Sequence, residues 1–562
     1  MAEQAKFVDN GPMLNAYPDS MGGRLGDISA LLARPALAGV FQSFYILPSV
    51  FNSDLDRGFS IVDYSLNKTL ARPEDLAALK EQGLDLKLDF ILNHASVLSR
   101  EFQDVLQKGE DSEYKDFFIH WNRFWEGCGP LTEAGYIQPE PRYLEHMFFR
   151  KPGLPILMVR FPDGRDVPYW NTFYQEIRYK KADTQELMQA LDLQYAEAVQ
   201  LVSLLDPQID SGKPSADFDL GPYTEYKDKV VAWLESNRRY LGQMDLDIRS
   251  PLVWDYYDRT LRQLADYGAK IVRLDAFAYA PKEPGAKNFL NEPGTWDVLA
   301  RVQELADTYG LALLPEIHAQ YGEKIYEVLA DKGYMVYDFF LPGLVLYSFE
   351  KQNGAALAAW ARELRDKKIR AVNMLGCHDG IPLLDLRGFL ADEEIDTLIE
   401  TLVARGGYVK NLHGQKGMYY QVNATYFSAL GEDEQRLLLA RAIQLFMPGK
   451  PQVWYLDLFA GKNDHEGVAK AGPGGHKEIN RTNLSAEAID RALETSVVRR
   501  QLAMLRWRAT CPAFGFDSEL EVEDDGSRLV FTWINGGHTA KLQADLSDYS
   551  FVISENDRVL EL

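Results

Sequence analysis

The sequence predicts an α/β protein built on a (β/α)8 TIM barrel, and three observations predict it. Eight short runs rich in β-branched and aromatic residues recur along the chain, most of them bounded by Gly, Pro, Asn or Asp. Helical patterns lie between many of them. Three of the runs lead into acids, Asp275, Glu316 and Asp379, and a closed barrel of parallel strands carries such positions to one face.

The runs cover residues 13–17, 40–47, 86–92, 270–274, 312–316, 336–340, 371–375 and 453–456. A helix over 73–82 starts with Pro73 at a first-turn position and carries Leu76 and Leu79. Residues 254–267 and 295–309 repeat apolar side chains at three- and four-residue spacing. Two connections exceed ordinary loops. Residues 95–240, after the third strand, read as an inserted domain with an amphipathic helix over 184–205, carrying Leu187, Leu191, Tyr195, Ala198 and Val202 on one side. Residues 380–430, after the seventh strand, read as a loop subdomain. The turn Asp524-Asp525-Gly526-Ser527 beside the alternating run 529–534 predicts a small C-terminal β domain over 511–562. The barrel then takes residues 1–94, 241–379 and 431–510.

A chain of 562 residues can bury such a barrel and further domains. Its net charge of −23 argues against nucleic acid or an anionic membrane as partner. It also means that a bound phosphate needs a local cluster of cations. Cys128, Cys377 and Cys511 form no CxxC pair, which favours a reducing compartment. With no apolar signal segment among the first residues and no long apolar stretch, the expected location is the cytoplasm.

Three carboxylates on one face suit glycosidic-bond chemistry, which needs a proton donor and an attacking or charge-stabilising partner. Asn93-His94, Arg273-Leu274-Asp275-Ala276, Glu316-Ile317-His318 and His378-Asp379-Gly380 stand in this order at strand ends. Together they resemble the signature of the α-amylase superfamily, glycoside hydrolase family 13. The tract from Tyr420 to Tyr426, Gly461-Lys462-Asn463-Asp464 and Ile479-Asn480-Arg481 narrow the resemblance to its sucrose phosphorylase group. The resemblance covers nearly the whole chain.

The resemblance implies Asp275 as the nucleophile that forms a glucosyl ester. It implies Glu316 as the general acid and then base, and Asp379 as the group holding hydroxyls of the distorted sugar. Retention requires the first two carboxyls roughly 5–5.5 Å apart. Arg273 is expected to keep Asp275 ionised. His94 and His378 would donate to glucose hydroxyls. Asp56 would pair with Arg481 on the glucose 4-hydroxyl and limit the site to one terminal glucose. Phe59 would pack on the sugar, Gln421 would join the substrate-binding set, and Tyr279 and His318 would face the acceptor.

The second half-reaction decides the class. A phosphate charge at about 5 Å from a carboxylate meets roughly 3 kcal/mol of repulsion at an effective dielectric near 20. Arg150 and Lys151 lie in Phe149-Arg150-Lys151-Pro152-Gly153-Leu154-Pro155, whose Pro-Gly-Leu-Pro part resembles a phosphate-binding loop of the group. Either could supply the charge; only arginine offers a bidentate fork. Met418-Tyr419-Tyr420-Gln421 lacks the acid that the group carries there, so Tyr419 and Tyr420 become acceptor candidates and a smaller polyol is weighed beside fructose.

The expected activity is that of a retaining α-glucoside phosphorylase acting on sucrose or a related small glucoside and releasing α-D-glucose 1-phosphate. Phosphate is the co-substrate, with no cofactor and no metal. The alternatives are a phosphorylase for glucosylglycerol, glucosylglycerate or sucrose 6′-phosphate, a glucosidase or transglucosidase, and a non-catalytic sugar-binding or transport-accessory barrel. The resemblance alone implies a homodimer.

Overall fold

The computed structural model describes residues 8–150, 153–411, 419–472 and 474–561, without the side chains of 410, 411, 419 and 420. Eight strands form one sheet: β1 (Met13–Ala16), β2 (Ser43–Ile46), β3 (Asp85–Ile91), β4 (Ala269–Asp275), β5 (Ala312–Pro315), β6 (Val336–Asp338), β7 (Ala371–Met374) and β8 (Lys450–Trp454). They lie in the order β5-β4-β3-β2-β1-β8-β7-β6, and every ladder between them is parallel. The end strands β5 and β6 approach within 8 Å between Cα atoms, so the sheet curls into the barrel. Most of these strands are buried along their whole length, as expected where helices cover one face and side chains fill the other.

Each expected run holds one of these strands, with shifted ends. The sixth strand stops at Asp338 rather than 340, because Asp338 Oδ1 accepts from Phe340 N at 3.2 Å and Leu341 N at 2.9 Å and starts the helix Leu341–Lys351. The eighth begins at Lys450 rather than 453. Lys450 is buried and pairs with Asp9 at 2.8 Å, a partner far away in sequence.

A helix precedes each return to the sheet: α1 (Leu25–Leu32), α2 (Pro73–Glu81), α3 (Pro251–Asp266), α4 (Gly294–Thr308), α5 (Ile325–Asp331), α6 (Ala355–Asp366) and α7 (Glu434–Phe446). The last, α8 (Ser496–Thr510), leads into a five-stranded antiparallel sheet between Glu519 and Val559. Buried and exposed residues alternate along Arg528–Asn535 in that sheet, the pattern of strands covered on one face.

The segment between β3 and α3 has two small cores of its own. One gathers Trp121, Trp125 and Trp170; the other gathers Leu187, Leu201, Val230 and Leu234. The helix expected over 184–205 is two helices, Thr184–Leu191 and Tyr195–Asp210. Asp192 between them takes φ 58°, and Gln194 with Glu197 caps the second helix afresh. The break turns Tyr195 out to 64% exposure, away from the apolar side on which the single-helix pattern placed it. Strand Arg238–Asp245 runs through residue 240 without interruption and pairs with Gln175–Tyr179 and His94–Ser96, so it ties the segment to the end of β3.

After β7 the chain forms the helix Asp392–Ala404 and the hairpin of Tyr408–Asn411 with Tyr419–Asn423. Cys128, Cys377 and Cys511 are free and buried. Among the described residues no helix is long and apolar enough to cross a membrane.

Candidate active site

Residues two apart on a strand face the same way, so Arg273 and Asp275 point together from β4. Arg273 is buried at 3% exposure and reaches three acids. Its Nη1 lies 2.9 Å from Asp275 Oδ1 and 2.5 Å from Asp89 Oδ1, and its Nη2 lies 2.8 Å from Glu316 Oε1. Tyr45 also donates to Asp89, at 2.9 and 3.0 Å. One guanidinium therefore joins the end of β4 to the residue just past β5. Ala276 follows Asp275 at φ 52°, a conformation that costs a side-chain-bearing residue on the order of 1–2 kcal/mol. It turns the chain away at once and leaves the carboxyl at the strand tip.

One guanidinium is thus shared among three carboxylates, Asp89 fully buried and Asp275 and Glu316 largely so. Burial disfavours the ammonium of Lys87, lower in the barrel, and takes it well below its usual range. Burial carries Asp275 up to about 8, with Glu316, Asp89 and Asp379 pushing the same way against Arg273. Glu316 moves down to about 2: burial opposes this, and Arg273 and His318 outweigh it. The two acids thus behave as one pair that keeps a single proton across neutral pH. This corrects the expectation that Arg273 holds Asp275 ionised, because its charge is divided among Asp89, Asp275 and Glu316.

Asp379 occupies a different corner. Lys477 Nζ lies 2.5 Å from its Oδ1, Arg481 Nη2 4.0 Å from the same oxygen, and His378 Nε2 3.2 Å from its Oδ2. The His378 contact is not aligned as a hydrogen bond, and among the described residues neither nitrogen of this buried ring has a hydrogen-bond partner. Burial opposes ionisation of Asp379, yet its neighbours hold it well below the usual carboxylate range. His378 lowers it most, followed by Lys477 and Arg481, although burial lowers His378 itself. Gln421 donates to the Asp379 carbonyl at 2.6 Å, as does Asn423, and Arg481 Nε donates to the His378 carbonyl at 3.0 Å. Asp56 stands at the rim, 3.8 Å from Arg481 and 3.9 Å from Lys477. Phe59 stacks on His378, with centroids 5.1 Å apart and planes 10° apart.

Arg273, Glu316, His318, His378, Asp379 and Gln421 line one cavity. His94 does not offer the expected donor to a sugar. Its Nε2 is 3.0 Å from the Phe59 carbonyl, its Nδ1 lies 3.4 Å from Asn93 Nδ2, and the ring packs on Phe173.

The other wall comes from loops. His318 Nδ1 is 3.0 Å from Asp385, and its Nε2 is 3.5 Å from Glu316. Burial works against its charge, but Asp385 and Glu316 raise it to about 10, so it is an imidazolium at neutral pH. Arg150 donates to the Tyr279 hydroxyl at 3.0 Å and lies 5.1 Å over the Phe173 ring. Neither Arg150 nor Tyr279 lines the cavity around Glu316. Lys151 and the side chains of Tyr419 and Tyr420 lie outside the described residues.

Sequence reasoning missed Asp89, Lys477, Asn423 and Asp385. Asp89 stands inside a strand run rather than at its end. Lys477 stands four residues before Arg481, and that spacing was the available signal.

No family profile matches the chain. It is 50% identical to the sucrose 6(F)-phosphate phosphorylase of Ilumatobacter coccineus, over 99% of this chain and 98% of that protein. It is 31% identical to the sucrose phosphorylase of Streptococcus mutans serotype c, over 98% and 99%. The crystal structure of sucrose 6F-phosphate phosphorylase from Thermoanaerobacter thermosaccharolyticum superposes with a TM-score of 0.80 at 30% identity, covering 100% of this chain and 98% of that one. The chain belongs to the sucrose phosphorylase group of the α-amylase superfamily. Members of a family share a scaffold more reliably than a substrate, so the aglycone has to be argued from the site.

Proposed function

We propose that the chain is a retaining α-glucoside phosphorylase that moves a glucosyl unit from a sucrose-type donor to inorganic phosphate. The observation that carries this reading is the pair Asp275 and Glu316, held by one guanidinium, that of Arg273, at 2.9 and 2.8 Å, with Asp379 lining the same cavity as Glu316. Asp275 attacks the anomeric carbon, the bond to the aglycone oxygen breaks, and Glu316 delivers the proton to that oxygen. Phosphate then attacks the same carbon, the ester to Asp275 breaks, and Glu316 takes the phosphate's proton. Asp379, His378, Arg481, Asp56 and Phe59 hold the glucosyl unit.

Two cations support phosphate over water as acceptor. His318 carries a charge beside Glu316, and Arg150 stands by Tyr279. Each unit charge offsets repulsion of about 3 kcal/mol between a phosphate charge and a carboxylate at about 5 Å. No cofactor enters these steps. A second reading, sucrose 6F-phosphate as the preferred donor, is favoured by the relative that is 50% identical over nearly the full length.

A donor panel with inorganic phosphate tests both readings. Sucrose, sucrose 6F-phosphate, glucosylglycerol and glucosylglycerate are compared by initial rate, with glucose 1-phosphate and free glucose assayed separately. Phosphate-dependent glucose 1-phosphate from one of the two sucrose donors is expected. Equal glucose release with and without phosphate would reject phosphorolysis, and preference for a glycerol or glycerate donor would reject the sucrose type.

A further inference from the structure

Three consecutive residues after β2 are left-handed: Asp56 at φ 47°, Arg57 at φ 49° and ψ 43°, and Gly58 at φ 118°. Two of them carry side chains, which that region disfavours, and such a run persists only where its surroundings over-determine it. Gly58 fixes one side of the turn. A Cβ there would fall 2.1 Å from the backbone nitrogen of Ser49, so the chain presses directly on Pro48 and Ser49.

Arg57 fixes the other side. Its Nη1 donates to the Arg481 carbonyl at 2.9 Å, and its Nη2 donates to Asp19 Oδ1 at 3.0 Å and to Asn483 Oδ1. Asn483 donates in turn to the other Asp19 oxygen at 2.9 Å. The guanidinium lies 4.1 Å over the Tyr17 ring, and Arg481 lies 5.5 Å from the same centroid. One side chain therefore connects the loops after β1, β2 and β8. The residue next to it, Asp56, stands 3.8 Å from Arg481 and 3.9 Å from Lys477.

We propose that Arg57 is a positioning residue that sets donor specificity. By clamping the left-handed turn to the β1 and β8 loops it holds Asp56 against Arg481, and so makes cleavage depend on the glucose 4-hydroxyl. This rests on the proposed grip of that hydroxyl by Asp56 and Arg481, and adds the residue that fixes its geometry. Arg57 acts through its neighbour, since both of its terminal nitrogens are engaged with protein oxygens. The role needs a planar fork: three acceptors on two segments cannot be matched by the point charge of a lysine.

The test compares α-D-glucosyl fluoride with its 4-deoxy analogue as donors to inorganic phosphate, by kcat/KM. The full-length wild type is expected to prefer the hydroxylated donor by about 100-fold or more. Arg57→Ala should cut that preference by about tenfold or more, through lost rate on the hydroxylated donor alone, since the bond it removes acts only through that hydroxyl. Arg57→Lys should fall between. Asp56→Ala should show the same reduced preference, and the double variant should reduce it no further. If Arg57→Ala fails to fold, Asp19→Ala with Asn483→Ala removes the fork's side-chain acceptors and carries the same expectation. A discriminating wild type whose preference is unchanged in these variants, or variants that slow both donors equally, would overturn the role of Arg57 alone. A wild type indifferent to the 4-hydroxyl would overturn the grip by Asp56 and Arg481, and this role with it.

Discussion

The proposed donor side of the site and the proposed acceptor side are built from different parts of the chain. Arg273, Asp275, Glu316 and Asp379 sit at or just beyond the ends of barrel strands, and the ion pairs of Arg273 with Asp275 and Glu316 measure 2.9 and 2.8 Å. Arg150 and Tyr279 come from the inserted segment and the turn after β4, and His318 from the loop after β5. The difference teaches that reaction type and acceptor are separable. On the proposed function, the barrel fixes where charge develops on the sugar, and the loops decide what meets it.

The largest effects should come from the donor side and should not depend on the acceptor. Asp275→Asn should lower kcat on the order of 10⁴-fold or more with phosphate or water alike, measured as release of the aglycone. Glu316→Gln should cost about 10²–10⁴-fold on a glycoside that needs protonation. It should cost far less on α-glucosyl fluoride, whose leaving group needs no proton. Equal losses on both donors would remove Glu316 as the acid.

An acceptor-side change should divide the two half-reactions. Arg150→Met should raise the KM for phosphate about 10- to 100-fold, the scale of one charged hydrogen bond, while transfer to water persists. The measurement is the ratio of glucose 1-phosphate to glucose at fixed donor. An unchanged ratio would dissociate Arg150 from the acceptor.

The shared proton predicts a pH limit. Asp275 binds its proton up to about 8. As pH rises through that value the pair loses the one proton that Glu316 must donate, so kcat/KM should fall on the alkaline side. A profile flat to pH 10 would refute the shared-proton assignment.

The smallest effect lies outside both halves. Burial raises Asp338 to about 6, against its bonds to Trp360 and to the start of the following helix. Its folded value exceeds the ordinary unfolded one near 4, so this group favours the fold below about 4, and that contribution is lost as pH rises through about 6. Two units correspond to about 3 kcal/mol. Asp338→Asn should flatten the fall in Tm between pH 4 and 6.

The eight strands were legible because buried parallel strands read as short apolar runs. The strand-end positions of Asp275 and Glu316 were legible because a carboxylate ending such a run breaks its pattern, and Asp379 follows the seventh strand by five residues. The break at Asp192 was not, since the apolar spacing continues across it and only the backbone turns. Nor was the fate of His94, whose ring meets the Phe59 carbonyl from 35 residues away.

By itself the sequence determined the barrel, its additions and the three carboxylates, because periodicity and strand ends are local properties. Only the tertiary structure decided how charge is distributed among them. One guanidinium serves Asp89, Asp275 and Glu316, and Lys477 serves Asp379. Such sharing depends on distances between strands and loops far apart in the chain, and on burial that makes each unpaired charge costly.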